Sequence, residues 1–373
     1  MPTFAFSRSV SLTPGTPLRS ESGPGFRTSR PQAWLGILAV LVGVAVVGNP
    51  LHAWELSLPT ENRAIFSSDP SQFYMYTDRN FEGVKSQPWT AGQYGFVRDQ
   101  KRTAAGIVMT RFHEGLDIRP VARDSEGVPL DLVHPISQGT VVHVATQASQ
   151  SSYGRYVVVR HDLPEGPFFS LYGHLMDTRV RTGQKVGPDQ VLGRLGYTGE
   201  GIDRVRAHLH VELNLLLSER FEQWHGARFQ TPNHHGNYNG LNLVGVDLAS
   251  LYQQRRQKPD LTLTQFFASR PVHFKVRVGA TRKFALLGRY PFLLKAPGPV
   301  VGNAAWEIHF DQSGVPLAIE PSQVRTANPV VTWVQPSKTY HSYLTRGRLT
   351  GSGASAGLSS SGLSYLSLVA GDF

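Results

Sequence analysis

From Gly106 to Leu217 the chain is cut into short β-branched runs by glycine-bearing turns. That punctuation admits few folds. Thr140–Ala145 (TVVHVA), Tyr156–His161 (YVVVRH), Phe168–His174 (FFSLYGH) and His208–Leu213 (HLHVEL) are too short and too β-branched for helices. Short strands at close spacing predict a mainly β domain, a sandwich or a barrel-like sheet. The 37 Gly and 25 Pro suit turn-rich β structure better than a helical bundle. Two helices are expected next: Ser218–His225, with Ser218 as cap and Gly226 as stop, and Asp247–Gln257. Strand patterns resume at Val272–Val278, Trp306–Phe310 and Val330–Val334, enough for a second β-rich domain over 259–373. Trp306 and Trp333 are read as part of its core. Gly351–Gly362 is Gly/Ser-rich, the composition of a flexible segment.

The first 53 residues read as an address. Met1–Arg30 carries Arg8, Arg19, Arg27 and Arg30 against Glu21, and Pro31–Trp54 contains no charged residue. A basic flank before the apolar run Ala33–Val47 predicts a signal peptide or a retained signal anchor over 1–53. The rest of the chain is then exported to the periplasm or cell envelope. It would touch the inner membrane only if residues 33–53 are retained. Residues 54–105 hold turn residues and few alternations, and are read as an N-terminal extension of a domain spanning 106–258. The net charge of +10 tolerates anionic envelope polymers and serves solubility equally well. No nucleic-acid partner is expected.

The absence of cysteine removes disulfide staples, thiolate zinc sites, cysteine nucleophiles and a lipid-modified cysteine anchor. Any metal must therefore be held by His, Asp or Glu. Three pieces concentrate these residues: His113-Glu114-Gly115-Leu116-Asp117, Tyr172-Gly173-His174-Leu175 and His208-Leu209-His210-Val211-Glu212. On a strand, side chains two apart share a face, so His208 and His210 point the same way, ~6.6 Å of rise apart. His113, Asp117 and one of that pair make an open three-ligand set for catalytic zinc. Zinc polarises a carbonyl and lowers the pKa of its bound water, as amide hydrolysis requires. The other histidine of the pair and His174 are left for proton transfer and oxyanion stabilisation. A helical zincin is not expected, because His-Glu-x-x-His is absent and Gly115 argues against a helix. A two-His-one-carboxylate iron oxygenase is a competing class, but it usually spaces its first pair His-x-Asp and needs neither His174 nor a second histidine of the pair.

Taken together and in this order, the motifs resemble the catalytic domain of the lysostaphin-type, or LytM-like, zinc endopeptidases, which cut peptidoglycan cross-bridges. His113–Asp117 matches the opening His-x-Gly-x-Asp. Pro135–Val141 matches the following Gly-turn strand with one extra residue, and Tyr153-Gly154 leads a strand ending at His161. Tyr172–Leu175, Gly183–Gly193, Gly196–Gly199 and His208–Glu212 complete the series, covering about residues 106–217. Ala207 stands where a proline is frequent. The resemblance implies a small antiparallel β-sheet, a barrel-sandwich hybrid (duplicated hybrid motif), with a long groove. It implies one zinc per chain on His113, Asp117 and His210, with His174 and His208 as catalytic histidines. The implied reaction is hydrolysis of peptidoglycan peptide by metal-activated water. Some members of that family have lost ligands and act as amidase activators, so a non-catalytic envelope regulator is the alternative. This chain keeps all five positions. His134, His143 and His161 are read as packing or surface residues, and the polar loop 233–240 as a connector.

Overall fold

A computed structural model describes residues 54–280, 284–296, 302–371 and 373. The segment read as signal or anchor, 1–53, lies outside the described residues. The expected strands pair into one antiparallel sheet. It uses β3 (Leu116–Ile118), β4 (Gly139–Ala145), β5 (Arg155–Leu163), β6 (Gly166–Leu175), β7 (Lys185–Val186), β8 (Leu209–Leu216) and β9 (Leu243–Gly245), in the order β7-β4-β5-β6-β8-β9. Strand β3 pairs with the first half of β8, on the edge whose second half β9 covers. The protein is mainly β and antiparallel, as its sequence patterning dictates.

Alternation decides what each face of this sheet does. Leu209, Val211, Leu213 and Leu215 of β8 enter the main core with Val157 and Val159 of β5 and Tyr172 of β6. The intervening residues His208, His210, Glu212 and Asn214 are equally buried but polar, and they face the other way. A buried polar row is tolerated only when it is hydrogen-bonded, and this one is built around the site described below.

His161 is a fully buried packing residue of β5. Its Nδ1 lies 2.7 Å from the Gln138 carbonyl and its Nε2 lies 2.7 Å from the Ser170 hydroxyl. Burial pushes its pKa down to about 4, against ~6.5 in an unfolded chain. The native state therefore binds fewer protons than the unfolded state between those values. The stability this neutral imidazole confers should be complete above about pH 6.5 and lost as pH falls toward 4, on the order of 3 kcal/mol in total. Urea unfolding followed from neutral to mildly acid pH should show that loss, and His161→Gln should show a shallower one.

Before the sheet comes a two-stranded ribbon of β1 (Gly95–Thr103) and β2 (Gly106–His113). The sequence offers little sign of β1, whose Arg98-Asp99-Gln100-Lys101-Arg102 run is polar on both faces. Pairing with β2 alone makes it a strand. The 105/106 boundary read from the sequence falls in the turn of this ribbon, so the extension pairs directly with the strand that ends at His113.

After the sheet, helix α2 (Leu248–Gln257) starts where expected, with the Asp247 side chain accepting the Ser250 N–H at 2.9 Å. Helix α1 (Phe221–Gly226) begins later than expected. Ser218 instead accepts the Arg220 N–H, closing a turn ahead of the helix. The C-terminal strands β10 (Phe274–Gly279), β11 (Ala305–Phe310), β12 (Pro316–Ser322) and β13 (Val330–Val334) form a second antiparallel sheet, ordered β12-β11-β10-β13. Its buried residues belong to the same continuous core as the first sheet. Tyr290 ties the two together, donating to the Pro167 carbonyl and accepting the Leu216 N–H at 2.7 and 2.8 Å.

One expectation for this part does not hold. Trp333 is 43% exposed rather than core, since it sits on the outward face of β13, whereas Trp306 packs edge-on against Phe284. The Gly/Ser-rich stretch runs into helix α3 (Ser360–Ala370), capped by Ser359. Trp224 packs there: its Nε1 lies 3.1 Å from the Ser367 hydroxyl.

Candidate metal centre and groove

Three adjacent backbones bring the polar row together. In the ladder, His210 sits opposite Asp117 on one side and opposite Gly173, the neighbour of His174, on the other. His113 arrives at the end of β2, one short turn before β3. Gly115 makes that turn possible. A Cβ there would collide with the Val211 carbonyl and come 3.0 Å from His210 Nε2.

The result is a convergence of donor atoms. Asp117 Oδ1 lies 3.0 Å from His113 Nε2, 2.9 Å from His210 Nδ1 and 3.4 Å from His208 Nε2. His113 Nε2 and His210 Nδ1 are 3.2 Å apart. His113, Asp117 and His210 each offer one ligand atom within a common 4.8 Å, and all three are buried. His174 closes the fourth side, its ring centroid 4.8 Å from that of His208 and 5.8 Å from that of His210. Its φ of 62° is the left-handed region, disfavoured for a residue with a Cβ. Such strain persists only where the surroundings fix it, and here the His174 N–H is held by the Tyr153 carbonyl at 2.7 Å.

Each imidazole is anchored on the nitrogen that faces away from the centre. His113 Nδ1 meets the Gln93 carbonyl at 2.8 Å, His174 Nδ1 the Thr198 carbonyl at 2.9 Å, and His208 Nδ1 the Arg206 carbonyl at 2.6 Å. His210 Nε2 meets Glu212 Oε1 at 2.8 Å, and Glu212 is held in turn by Tyr153 and Asn214. A carbonyl or carboxylate partner fixes the ring's tautomer and aims its other nitrogen as a lone pair. The donor set, two such imidazoles and one carboxylate, therefore fits a divalent metal of the zinc kind.

The groups of the centre differ in their electrostatics. Burial works against an ionised Asp117, yet His113, His208 and Arg98 hold it well below the usual carboxylate range. Arg98, on β1, takes Asp117 Oδ2 and the Ala91 carbonyl, leaving Oδ1 to the histidines. Burial pushes His174 well below its ordinary pKa, reinforced by His208 and His210. His210 is pushed up to about 10: burial opposes this, but its hydrogen bonds to Asp117 and Glu212 outweigh it.

The centre lies in an open groove of about 1380 Å³. The 233–240 loop, read above as a connector, contributes His235, Asn239 and Gly240 to the groove wall. Arg98 and Arg346 also line the groove, and Arg346 pairs with Glu114. All five histidine and aspartate positions singled out in the sequence meet here. The sequence motifs do not point to Arg98, to Gln93 or to the Arg206 carbonyl that holds His208. The last two act through backbone carbonyls, which leave no mark in a sequence, and Arg98 lies in the polar strand that pattern reading misses. Glu212 was visible as the end of His-Leu-His-x-Glu, but not as the support of His210.

Residues 111–220 match peptidase family M23. This segment is an M23 peptidase domain. Among solved structures, the chain is similar to a peptidase M23 structure from Pseudomonas aeruginosa at 26% identity, covering 27% of this chain and 37% of that one, with a TM-score of 0.21. It is similar to a zinc containing peptidase from Vibrio cholerae at 23% identity, covering 38% and 35%, TM-score 0.24. The catalytic domain of lysostaphin from Staphylococcus simulans matches at 21% identity over 37% and 79%, TM-score 0.23. The chain thus spans about a third of the length of the Pseudomonas and Vibrio proteins. None of the curated proteins matches it. The M23 segment begins two residues before His113 and ends after β8, so it contains all five positions of the centre. Arg98, Arg346 and His235 lie outside it.

Proposed function

We propose that the chain is an exported zinc endopeptidase that hydrolyses peptide bonds in peptidoglycan cross-links, with His113, Asp117 and His210 as ligands of one zinc in the groove. The observation that carries this reading is the convergence of those three donor atoms, with the outer nitrogen of each ligand imidazole already engaged. A bound zinc ion supplies Lewis-acid polarisation of the scissile carbonyl and a water of lowered pKa. The protein supplies the proton traffic and the fixed dipoles. His174, kept neutral by burial and locked by Thr198, turns its Nε2 lone pair to the groove, takes the proton of the attacking water and returns it to the amine that leaves as the C–N bond breaks. His208, with Nε2 3.4 Å from Asp117 Oδ1, faces the same space and is placed to stabilise the developing oxyanion when that nitrogen carries a hydrogen. The open groove accommodates an extended peptide. Residues 33–53 are proposed as the signal or inner-membrane anchor. Among the described residues no helix is long and apolar enough to cross a membrane.

The test is digestion of purified sacculi with the zinc-loaded chain, followed by mass analysis of released material. Peptide fragments cut within the cross-link are expected. Intact sacculi with zinc bound would overturn the enzymatic reading and leave that of a regulator.

The support behind the ligands is testable separately. Glu212→Gln keeps a hydrogen-bond acceptor for His210 Nε2 but removes its charge, and the residue is only 1% exposed. Zinc affinity should fall by about tenfold to a hundredfold, the usual effect of losing an outer partner of a metal-bound histidine. Competition with a chromophoric chelator measures it.

A further inference from the structure

A second group of ligand-type side chains lies on the C-terminal sheet. Glu307 and His309 are two apart on β11, so both project from the face opposite the buried Ile308 and Phe310. Glu320 of β12 is the direct cross-strand partner of Glu307. Like charges placed opposite one another in a ladder destabilise it unless something lies between them. What lies between is an imidazole: His309 Nε2 is 3.5 Å from Glu320 Oε2 and 3.9 Å from Glu307 Oε1.

Four features separate this cluster from an ordinary patch of surface charge. One ligand atom from each of the three residues falls within a common 4.8 Å. His309 is 7% exposed, and its Nε2 is buried without a hydrogen-bond partner among the described residues. A buried nitrogen left unpaired is costly, and this one is aimed between the two carboxylates. Arg277 takes Glu307 Oε2 at 3.1 Å, leaving Oε1 to face the imidazole, just as Arg98 holds the far oxygen of Asp117 in the groove. Finally, Glu307 also lines a solvent-open pocket of about 450 Å³, together with Arg277, Lys275 and Trp333.

We propose that Glu307, His309 and Glu320 form a second divalent-metal site, of the zinc class. One imidazole and two carboxylates make a nitrogen–oxygen set that suits zinc better than the all-oxygen coordination preferred by calcium or magnesium. Arg277 and Lys275 offset part of the acidic charge, and Glu320 is partly solvent-exposed, so this site binds more weakly than the groove. An ion there bridges β11 to β12 and clamps the second sheet.

The experiment uses the full chain carrying His113→Ala and His210→Ala together, so that the groove no longer holds metal. The protein is stripped with chelator, dialysed against zinc chloride and analysed for metal. About one zinc per chain should remain. His309→Ala added to this background should bring the content close to zero. Glu320→Gln, at a partly exposed position where folding is not at risk, should lower affinity at least tenfold and abolish the rise in melting temperature that zinc produces. No uptake by the groove-deleted chain, or uptake unaffected by Glu320→Gln and His309→Ala, would show the cluster to be a His–carboxylate ion pair only.

Discussion

His113→Ala should remove the groove zinc and with it all measurable hydrolysis. Two protein ligands, Asp117 and His210, would remain of three, and the metal's binding free energy depends on a complete set. The loss extends beyond one donor atom. The truncated side chain gives up its link to the Gln93 carbonyl, and Asp117 loses one of the neighbours that hold it ionised. The fold should survive, because the core faces of β3 and β8 are untouched. Metal analysis after dialysis should show the zinc content lower by one per chain than in the parent, with an unchanged circular dichroism spectrum. Full retention of zinc would remove His113 from the ligand set.

His174→Ala and His208→Ala should each lower turnover by on the order of a hundredfold or more while leaving the zinc in place, in the range for general acid–base groups and oxyanion donors. Neither residue belongs to the three-atom ligand group. Their rings stand at its edge, anchored on the Thr198 and Arg206 carbonyls. The two variants should differ in kind. Loss of His174 removes the neutral imidazole that accepts a proton, and loss of His208 removes the one that lies beside Asp117 Oδ1. Zinc content and peptide hydrolysis measured on the same samples separate a catalytic role from a ligating one. Full activity of His174→Ala would sink the assignment, as would metal loss from His208→Ala with retention in His210→Ala.

The sequence alone determined the four long strands of the main sheet, the shared face of His208 and His210 and the list of chemically competent residues. A strand's period of two and the glycine at position 115 are local properties, written in adjacent residues. The same holds for Asp247 as a helix cap and for the absence of thiols, which forces any metal onto imidazole and carboxylate. Sequence periodicity does not register partners that come from elsewhere in the chain. β1 has no hydrophobic stripe and is a strand only because β2 pairs with it, so Arg98 on Asp117 could not be foreseen. Gln93, Thr198 and Arg206 act through carbonyls that every residue possesses, and only the tertiary structure decides which ones face an imidazole. The end of the Gly/Ser-rich stretch enters helix α3, against which Trp224 packs, and Trp333 stays 43% exposed on β13. The same register sets Glu307 opposite Glu320. Local pattern thus decided which side chains share a face, and long-range pairing decided what those faces meet.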